Sequence, residues 1–174
     1  MFGLLLILYS CQTEENWLNK GKAKAELEDY KGALAAYNMA IELDPDNADV
    51  FYLRGYAKNK LEDYIGAIDD FSRVIELDPD NVKAYNIRGI LKAELEDHEG
   101  AIADFNNTIK INPYNADAFL YRGFAKDNLQ DYRGAIADYS SAIELNPKYA
   151  EEYYSRGFAK YILEDYRGAI ADYS

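Results

Sequence analysis

Paired carboxylates recur along this chain of 174 residues, at Glu28-Asp29, Glu62-Asp63 and Glu96-Asp97. Two adjacent acids can act as general acid and general base when their environments move their pKa values apart. These pairs, however, fall at each point where one predicted helix gives way to the next. We therefore interpret their aspartates as helix caps, which satisfy free backbone amides and interact favourably with the helix dipole.

Metal ligands and nucleophiles are scarce. The segment 44–49 resembles the start of a calcium-binding loop, but Asp49 stands where such a loop needs glycine and Gly55 where it needs glutamate. Cys11 is the single cysteine and His98 the single histidine, so neither a disulfide nor a Cys/His zinc cluster can form within the chain. His98 replaces a tyrosine found in the other units, and we interpret it as a packing residue. We predict no cofactor, no metal and no enzymatic activity.

Composition and charge limit the partners. With 49% hydrophobic and 14% aromatic residues, the chain can bury a substantial core and is predicted to fold. Its net charge of −12 repels phosphate backbones and anionic lipid head groups. We therefore predict that nucleic acid is not a partner.

Small and aromatic residues recur every 34 residues, which indicates an array of similar structural units. The repeated residues are the glycines Gly21, Gly55, Gly89, Gly123 and Gly157, the alanines Ala33, Ala67, Ala101, Ala135 and Ala169, the aromatics Trp17, Phe51, Tyr85, Phe119 and Tyr153, and the prolines Pro45, Pro79, Pro113 and Pro147. Within each unit the apolar residues have helical spacing on both sides of a short acidic turn, and the proline ends the second helix. Each unit is therefore predicted to be a helical hairpin that must stack on its neighbours.

This pattern resembles the tetratricopeptide repeat over residues 14–174. The resemblance implies an all-α, right-handed solenoid of antiparallel helical hairpins, with complete units at 14–47, 48–81, 82–115 and 116–149 and an incomplete fifth at 150–174. Because the last unit keeps the apolar pattern of the internal ones, we expect either a longer array or self-association through this unfinished repeat.

Cations occupy first-helix positions where the family usually has packing residues. Arg54, Arg88, Arg122 and Arg156 are each followed four residues on by a lysine, and the second helices of the same units carry Asp70, Asp104, Asp138 and Asp172. The first unit has neither the arginine nor the aspartate. We predict structural Arg–Asp pairs between helices that fix the stacking register. The alternative is that these long side chains extend to water.

The resemblance also implies a binding surface. In the family, the second, fifth, ninth and twelfth positions of each first helix line the concave groove, and we call these positions the first-helix stripe. The predicted contacts for a peptide or partner helix are Tyr52, Tyr56, Asn59, Asn86, Ile90, Leu120, Phe124, Asp127, Tyr154, Phe158 and Tyr161. The alternative is that packing between adjacent first helices buries part of this stripe.

For one class of ligand, the residue types needed for binding can be compared with those in this sequence. Family members that bind the acidic tails of chaperones use a clamp of lysine, asparagine and arginine, and of the corresponding positions only Lys83 fits. With acidic residues on the stripe, we expect instead a neutral or basic, partly apolar protein or peptide partner.

The first eleven residues differ from the rest because they are almost wholly apolar. They are too short to span a bilayer but match the apolar part of a secretory signal. The end at Leu8-Tyr9-Ser10-Cys11 resembles the lipobox of bacterial lipoproteins, which implies a lipid on Cys11 and a place in the bacterial cell envelope. The alternatives are an ordinary free thiol and a cytoplasmic protein.

The leading functional prediction is a lipid-anchored interaction scaffold that holds a protein partner in its groove. The alternatives are a self-associating assembly element and a targeting module of a longer protein.

Overall fold

The computed structural model describes residues 13–148 and 150–174, and these residues form ten α-helices and no strand. In chain order, α1 to α10 are Glu14–Glu26, Tyr30–Leu43, Ala48–Lys60, Tyr64–Leu77, Val82–Glu94, His98–Ile111, Ala116–Asn128, Tyr132–Leu145, Ala150–Ile162 and Tyr166–Tyr173. The predicted all-α class is confirmed. None of these helices is long and apolar enough to cross a bilayer. The predicted signal segment at residues 1–11 lies outside the described residues.

The chain divides into two compact halves, Met1–Ala84 and Tyr85–Ser174. We call these halves unit 1 and unit 2, and from here on each single repeat is called a hairpin. In unit 1, α1 packs on α2 and α3 on α4, and the two hairpins meet where α2 packs on α3. In unit 2, α7 packs on α8 and α9 on α10, while α6 packs on α7 and α8 on α9. Each second helix thus packs on the first helix of the next hairpin within its unit.

A three-residue turn joins the two helices of each hairpin. In the second hairpin the amide of Asp63 donates to the carbonyl of Lys58 and the amide of Glu62 to that of Asn59, the bonding pattern of a Schellman cap. The Asp63 carboxylate then accepts from the Gly66 amide and so begins the next helix. Its capping role agrees with the sequence interpretation. Glu62 occupies the left-handed region with φ of 62°, as do its equivalents Glu28, Glu96, Gln130 and Glu164.

Consecutive hairpins are joined by an Asx-Pro-containing segment. Helix α4 ends at Leu77, and Asp78 beyond it is non-helical because Pro79 follows. The next helix begins with an asparagine cap, as at Asn47, whose side chain accepts from the amides of Asp49 and Val50. This alternation of aspartate and asparagine caps explains why the helix boundaries repeat with the sequence period.

Apolar residues from both helices of a hairpin and from the following first helix form the cores. In unit 1 the cluster comprises Ala33, Tyr37, Ala40, Val50 and Ala57, with Trp17 and Leu18 packed against it. In unit 2 it comprises Ala101, Phe105, Ala118 and Ala125, with Ile90 and Ala93 packed against it. A single hairpin therefore does not complete its own core, and the neighbouring hairpin supplies the rest.

Replacing Glu62 by glycine should stabilise the protein by up to about 1 kcal/mol, because a non-glycine residue in the left-handed region carries a steric penalty that glycine avoids. The matched control is Asp69→Gly, at an exposed position in the middle of α4, which should destabilise by about 1 kcal/mol. Urea unfolding measures both. Equal destabilisation by the two substitutions would contradict this account of the turn.

Candidate functional site

A buried aspartate lies between two cations in each hairpin that carries the arginine. Asp70 is only 2% exposed, its Oδ1 accepts from Arg54 Nη2 at 2.6 Å, and its Oδ2 accepts from Arg54 Nε at 2.9 Å. Lys58 Nζ lies 2.8 Å from the same Oδ2. Charge-assisted, bidentate geometry of this kind is among the strongest hydrogen bonding available to a protein. We call this arrangement the Arg–Lys–Asp cluster.

The cluster recurs with nearly the same geometry in unit 2. Each arginine Nη2 lies 2.5–2.6 Å from its aspartate, and each lysine Nζ lies 2.7–2.8 Å from the other carboxylate oxygen. The residues are Arg88, Lys92 and Asp104; Arg122, Lys126 and Asp138; and Arg156, Lys160 and Asp172. The lysines are part of the pairing, which the sequence did not indicate.

The Arg–Asp bond joins the two helices of one hairpin, and a third arginine donor reaches the preceding hairpin. Nη1 of Arg54 donates to Asn38, Nη1 of Arg122 to Asn106, and Nη1 of Arg156 to the hydroxyl of Ser140. The contact between hairpins is therefore made through these polar partners and not through the Arg–Asp bond itself. The arginine thus ties together the two helices of its own hairpin and the helix on which that hairpin stacks.

The first hairpin shows what replaces the cluster. Ala36 occupies the aspartate position and is 2% exposed. Without a buried carboxylate, Lys20 lies over the Trp17 ring at 4.4 Å, and Lys24 pairs instead with the exposed Asp29 at 2.6 Å. The aspartate and the arginine are therefore present together or absent together, while Lys24 remains at the lysine position of the cluster.

The cluster around Asp172 makes stability sensitive to acid. Burial acts to raise the pKa of Asp172, but hydrogen bonds from Arg156 and Lys160 outweigh it and hold the pKa below its ordinary value. A carboxyl whose pKa is lowered on folding contributes stability above about pH 4, and this contribution is lost as the pH falls through the lowered pKa.

The first-helix stripe is most exposed on α9. Tyr154 is 65% exposed, Phe158 42% and Tyr161 54%, and their spacing places them on one helix face. In unit 1, Tyr56 is 40% exposed. The remaining predicted contacts are half-buried: Tyr52, Asn59, Asn86, Ile90, Leu120, Phe124 and Asp127.

Several stripe residues also support the fold. Tyr52 makes an edge contact with Phe71 at a ring separation of 5.6 Å, and Phe124 makes one with Tyr139 at 5.5 Å. Ile90 packs against the unit 2 core. The side chains of these first-helix residues are large enough to reach the second helix, so only part of each side chain is available to a ligand.

Shallow clefts separate the stripe residues of successive hairpins. In unit 1 a cleft of about 350 Å³ is lined by Lys22, Tyr30, Leu53 and Tyr56, among others. In unit 2 a cleft of about 230 Å³ is lined by the equivalent residues Ile90, His98, Tyr121 and Phe124. Because the two clefts occupy the same repeat positions, they are a regular product of hairpin stacking.

One half-buried carboxylate on the stripe lacks the cation partners that the aspartates of the Arg–Lys–Asp clusters have. Asp127 lies one turn beyond Phe124, its Oδ1 is buried, and no described residue pairs with it. Burial raises its pKa. Beside it, Tyr139 is fully buried, and its hydroxyl also has no hydrogen-bond partner. Burial raises the pKa of Tyr139, and the charges of Asp127 and Asp138 raise it further.

Some of these residues were not identified from the sequence. Tyr139 belongs to a position that is tyrosine in the first, fourth and fifth hairpins and phenylalanine in the second and third, so the sequence did indicate that the fold does not require a hydroxyl there. Tyr121 stacks on Phe105 at 6.0 Å and lines the unit 2 cleft. His98 lines that cleft as well, and its Nδ1 is buried without a partner. The described residues contain no group of three or more side chains suited to hold a metal ion.

These features define an all-α array of helical hairpins that presents one face of its first helices. The family model described as TPR repeat matches residues 21–61 and 128–163, and that described as Tetratricopeptide repeat matches residues 48–81. The chain belongs to the tetratricopeptide repeat family. Members of this family are generally non-catalytic interaction modules, and membership supports a protein–protein interaction scaffold. Comparison with curated protein sequences gives no match.

Solved structures of similar fold include a MamA protein, with 24% identity, coverage of 93% of this chain and 88% of that one, and a TM-score of 0.90. MamA residues 41-end from Desulfovibrio magneticus RS-1 shares 19% identity, with coverage of 92% and 90% and a TM-score of 0.86. YrrB, described as a TPR protein with an unusual peptide-binding site, shares 21% identity, with coverage of 97% and 87% and a TM-score of 0.85. At these identities the three structures establish the fold.

The substitution Asp138→Ala should destabilise the protein by about 3–5 kcal/mol, because Arg122 and Lys126 lose their partner in a largely buried site. In a double-mutant cycle with Arg122→Met, the coupling free energy should exceed about 1 kcal/mol. The exposed pair Arg73–Glu76 is the control and should give less than about 0.5 kcal/mol. Chemical denaturation measures all variants. Additive effects at Arg122 and Asp138 would show that these side chains extend independently to water.

Proposed function

We propose that this chain is an interaction scaffold that binds an extended peptide or a helix of a protein partner on the first-helix stripe of unit 2. The observation that carries the proposal is the exposure of Tyr154, Phe158 and Tyr161 along one face of α9. Three large aromatic side chains in a row are unusual on a surface that contacts nothing, and aromatic anchors dominate protein interfaces. The description of YrrB as having a peptide-binding site supports this choice of ligand class.

The proposed role is binding without catalysis. The paired carboxylates that first suggested acid–base chemistry include Asp29, Asp63 and Asp97, and each accepts a hydrogen bond from a backbone amide at the start of a helix. With these carboxylates acting as caps, the stripe offers aromatic surface and a few polar groups. Such a surface is suited to recognition of a polypeptide.

Self-association is a second candidate, favoured by the exposed apolar residues of the hairpin formed by α9 and α10. Ile170 is 66% exposed and Tyr173 49%, and Tyr173 lies against Tyr154 with 5.5 Å between the ring centres. A cleft of about 590 Å³ opens beside these tyrosines. In this alternative a second copy of the chain covers the aromatic surface, and the mass measured by sedimentation would rise with protein concentration.

The peptide proposal is tested by selecting peptides from a random phage-displayed library on the full chain. Binding of the selected peptides should fall at least about tenfold for Tyr154→Ala/Phe158→Ala, because truncating aromatic anchors removes most of the contact energy. Tyr114→Ala is the matched control, since Tyr114 is 81% exposed in the same unit but off the stripe, and it should bind normally. Equal binding by wild type and the double variant would overturn the proposal.

We also propose that Cys11 carries a lipid that holds the protein in a bacterial cell envelope. The support is the apolar run before Ser10-Cys11, and a cytoplasmic protein with a free thiol is the alternative. In the native host, the wild-type protein should fractionate with membranes, lack residues 1–10 and be heavier by a lipid. Cys11→Ser should keep residues 1–10 and carry no lipid. An unmodified Cys11 in the wild-type protein would contradict the proposal.

A further inference from the structure

The inference concerns the polar group that the unit 2 stripe offers to a ligand, and it rests on the proposed function. Four other aspartates, Asp70, Asp104, Asp138 and Asp172, have side chains at most 4% exposed, and each is paired with an arginine and a lysine. Asp127 is half-buried with one oxygen inaccessible to solvent, yet no described cation contacts it. A carboxylate withdrawn from water without a partner is unfavourable, so this site is unsatisfied in the free protein.

The neighbouring hydroxyl of Tyr139 is a second polar group without a partner at this position. Tyr139 packs across Gly123, where a Cβ would lie 2.7 Å from its Cε1 atom, and the Asp127 carboxylate is near enough for its charge to raise the pKa of the Tyr139 hydroxyl. Phe71 and Phe105 fill the equivalent position of the second and third hairpins, so the fold does not require this hydroxyl. The Tyr37 hydroxyl of the first hairpin is buried without a partner as well, so what distinguishes the Tyr139 hydroxyl is the unpaired carboxylate of Asp127 beside it.

The charge of the stripe indicates what that ligand group is. In unit 2 the stripe positions hold Asp117 and Asp127 on α7, tyrosines and phenylalanine on α9, and no lysine or arginine, while Lys83 at the first stripe position of α5 belongs to unit 1. The protein carries a net charge of −12, which attracts cationic segments before contact. An aromatic ring beside the carboxylate, here Phe124, adds a favourable surface for an ammonium or guanidinium group.

We propose that the Asp127 carboxylate, beside Phe124 and the buried Tyr139 hydroxyl, binds the side chain of a lysine or arginine in the peptide that occupies the unit 2 stripe. The basic group donates to the accessible carboxylate oxygen, and its apolar stem lies along Phe124. The exposed aromatics of α9 then hold the apolar residues of the same peptide. The ligand is thus a peptide that combines a basic residue with apolar or aromatic ones.

The test compares peptides selected from the same random library on wild type, on Asp127→Asn and on Glu144→Gln. Glu144 is exposed on α8 away from the stripe, so Glu144→Gln removes the same charge without touching the site. Peptides selected on wild type and on Glu144→Gln should be enriched in lysine or arginine at one position. Those selected on Asp127→Asn should lose this enrichment while keeping their apolar residues. Persistence of the basic enrichment on Asp127→Asn would overturn the inference.

Affinities measured by fluorescence polarisation make the test quantitative. Replacing the basic residue of a selected peptide by norleucine should weaken binding to wild type by about 10- to 100-fold, the range expected for a hydrogen-bonded charge pair. The same replacement should change binding to Asp127→Asn by about threefold or less. Equal losses on both proteins would assign the basic residue to another contact and overturn the inference.

The outcomes separate this inference from the function on which it rests. If no peptide binds wild type better than Tyr154→Ala/Phe158→Ala, the stripe is not a peptide site and both proposals are wrong. If selected peptides depend on the α9 aromatics but show no basic preference, only the inference about Asp127 is wrong.

The free protein gives a further readout that needs no ligand. Tyr139→Phe should raise Tm by a few degrees, because it removes an unpartnered buried hydroxyl and matches the phenylalanine of the neighbouring hairpins. A lower Tm would show that the hydroxyl already has a partner in the free protein and would contradict the inference. Phe105→Tyr is the reverse substitution and should lower Tm.

Discussion

A buried carboxylate that must be neutralised from two sides is the constraint on which the hairpins depend. Once a buried aspartate occupies the second helix, the first helix of the hairpin must supply both an arginine and a lysine one turn apart. The first helix must also carry a small residue, such as Gly123, so that the two helices can approach each other. The arginine has a donor left over, which binds the preceding hairpin through Asn38, Asn106 or Ser140. One side chain thus links the geometry of a hairpin to its stacking. The first hairpin, with Ala36, does without this constraint and loses the arginine as well.

The same arrangement explains why the proposed recognition surface lies on the other face of the first helices. The cations at the helix interface are fully engaged, so they contribute little to a ligand. What remains accessible is the first-helix stripe, whose aromatics pack partly on the second helix and partly face outward. Phe124 illustrates this double role, since it contacts Tyr139 beneath it and lines a cleft beside it. Against this background Asp127 is exceptional, because one of its oxygens is withdrawn from solvent and yet no described cation pairs with it.

Much of the fold could be predicted from the sequence because its signals repeat. The period, the aspartate before each second helix and the proline after it indicate the hairpins, and the joint presence of arginine and aspartate indicates their pairing. The lysines of the cluster and the bonds of arginine to Asn38 or Ser140 could not be predicted, because they depend on how far a side chain reaches across a helix interface. The stripe was predicted as positions only. Whether Tyr52 is packed and Tyr154 exposed depends on which neighbour covers each residue, and spacing alone does not contain that information.

The central claim is that an uncompensated acidic site beside exposed aromatics selects a basic, partly apolar peptide. It is tested most directly by a crystal structure of the full chain bound to a peptide selected on it. The account predicts a lysine or arginine side chain within hydrogen-bond distance of the Asp127 carboxylate, with apolar peptide residues against Tyr154 and Phe158. A peptide bound elsewhere, or one that lies on the stripe with Asp127 still unpaired, would contradict it.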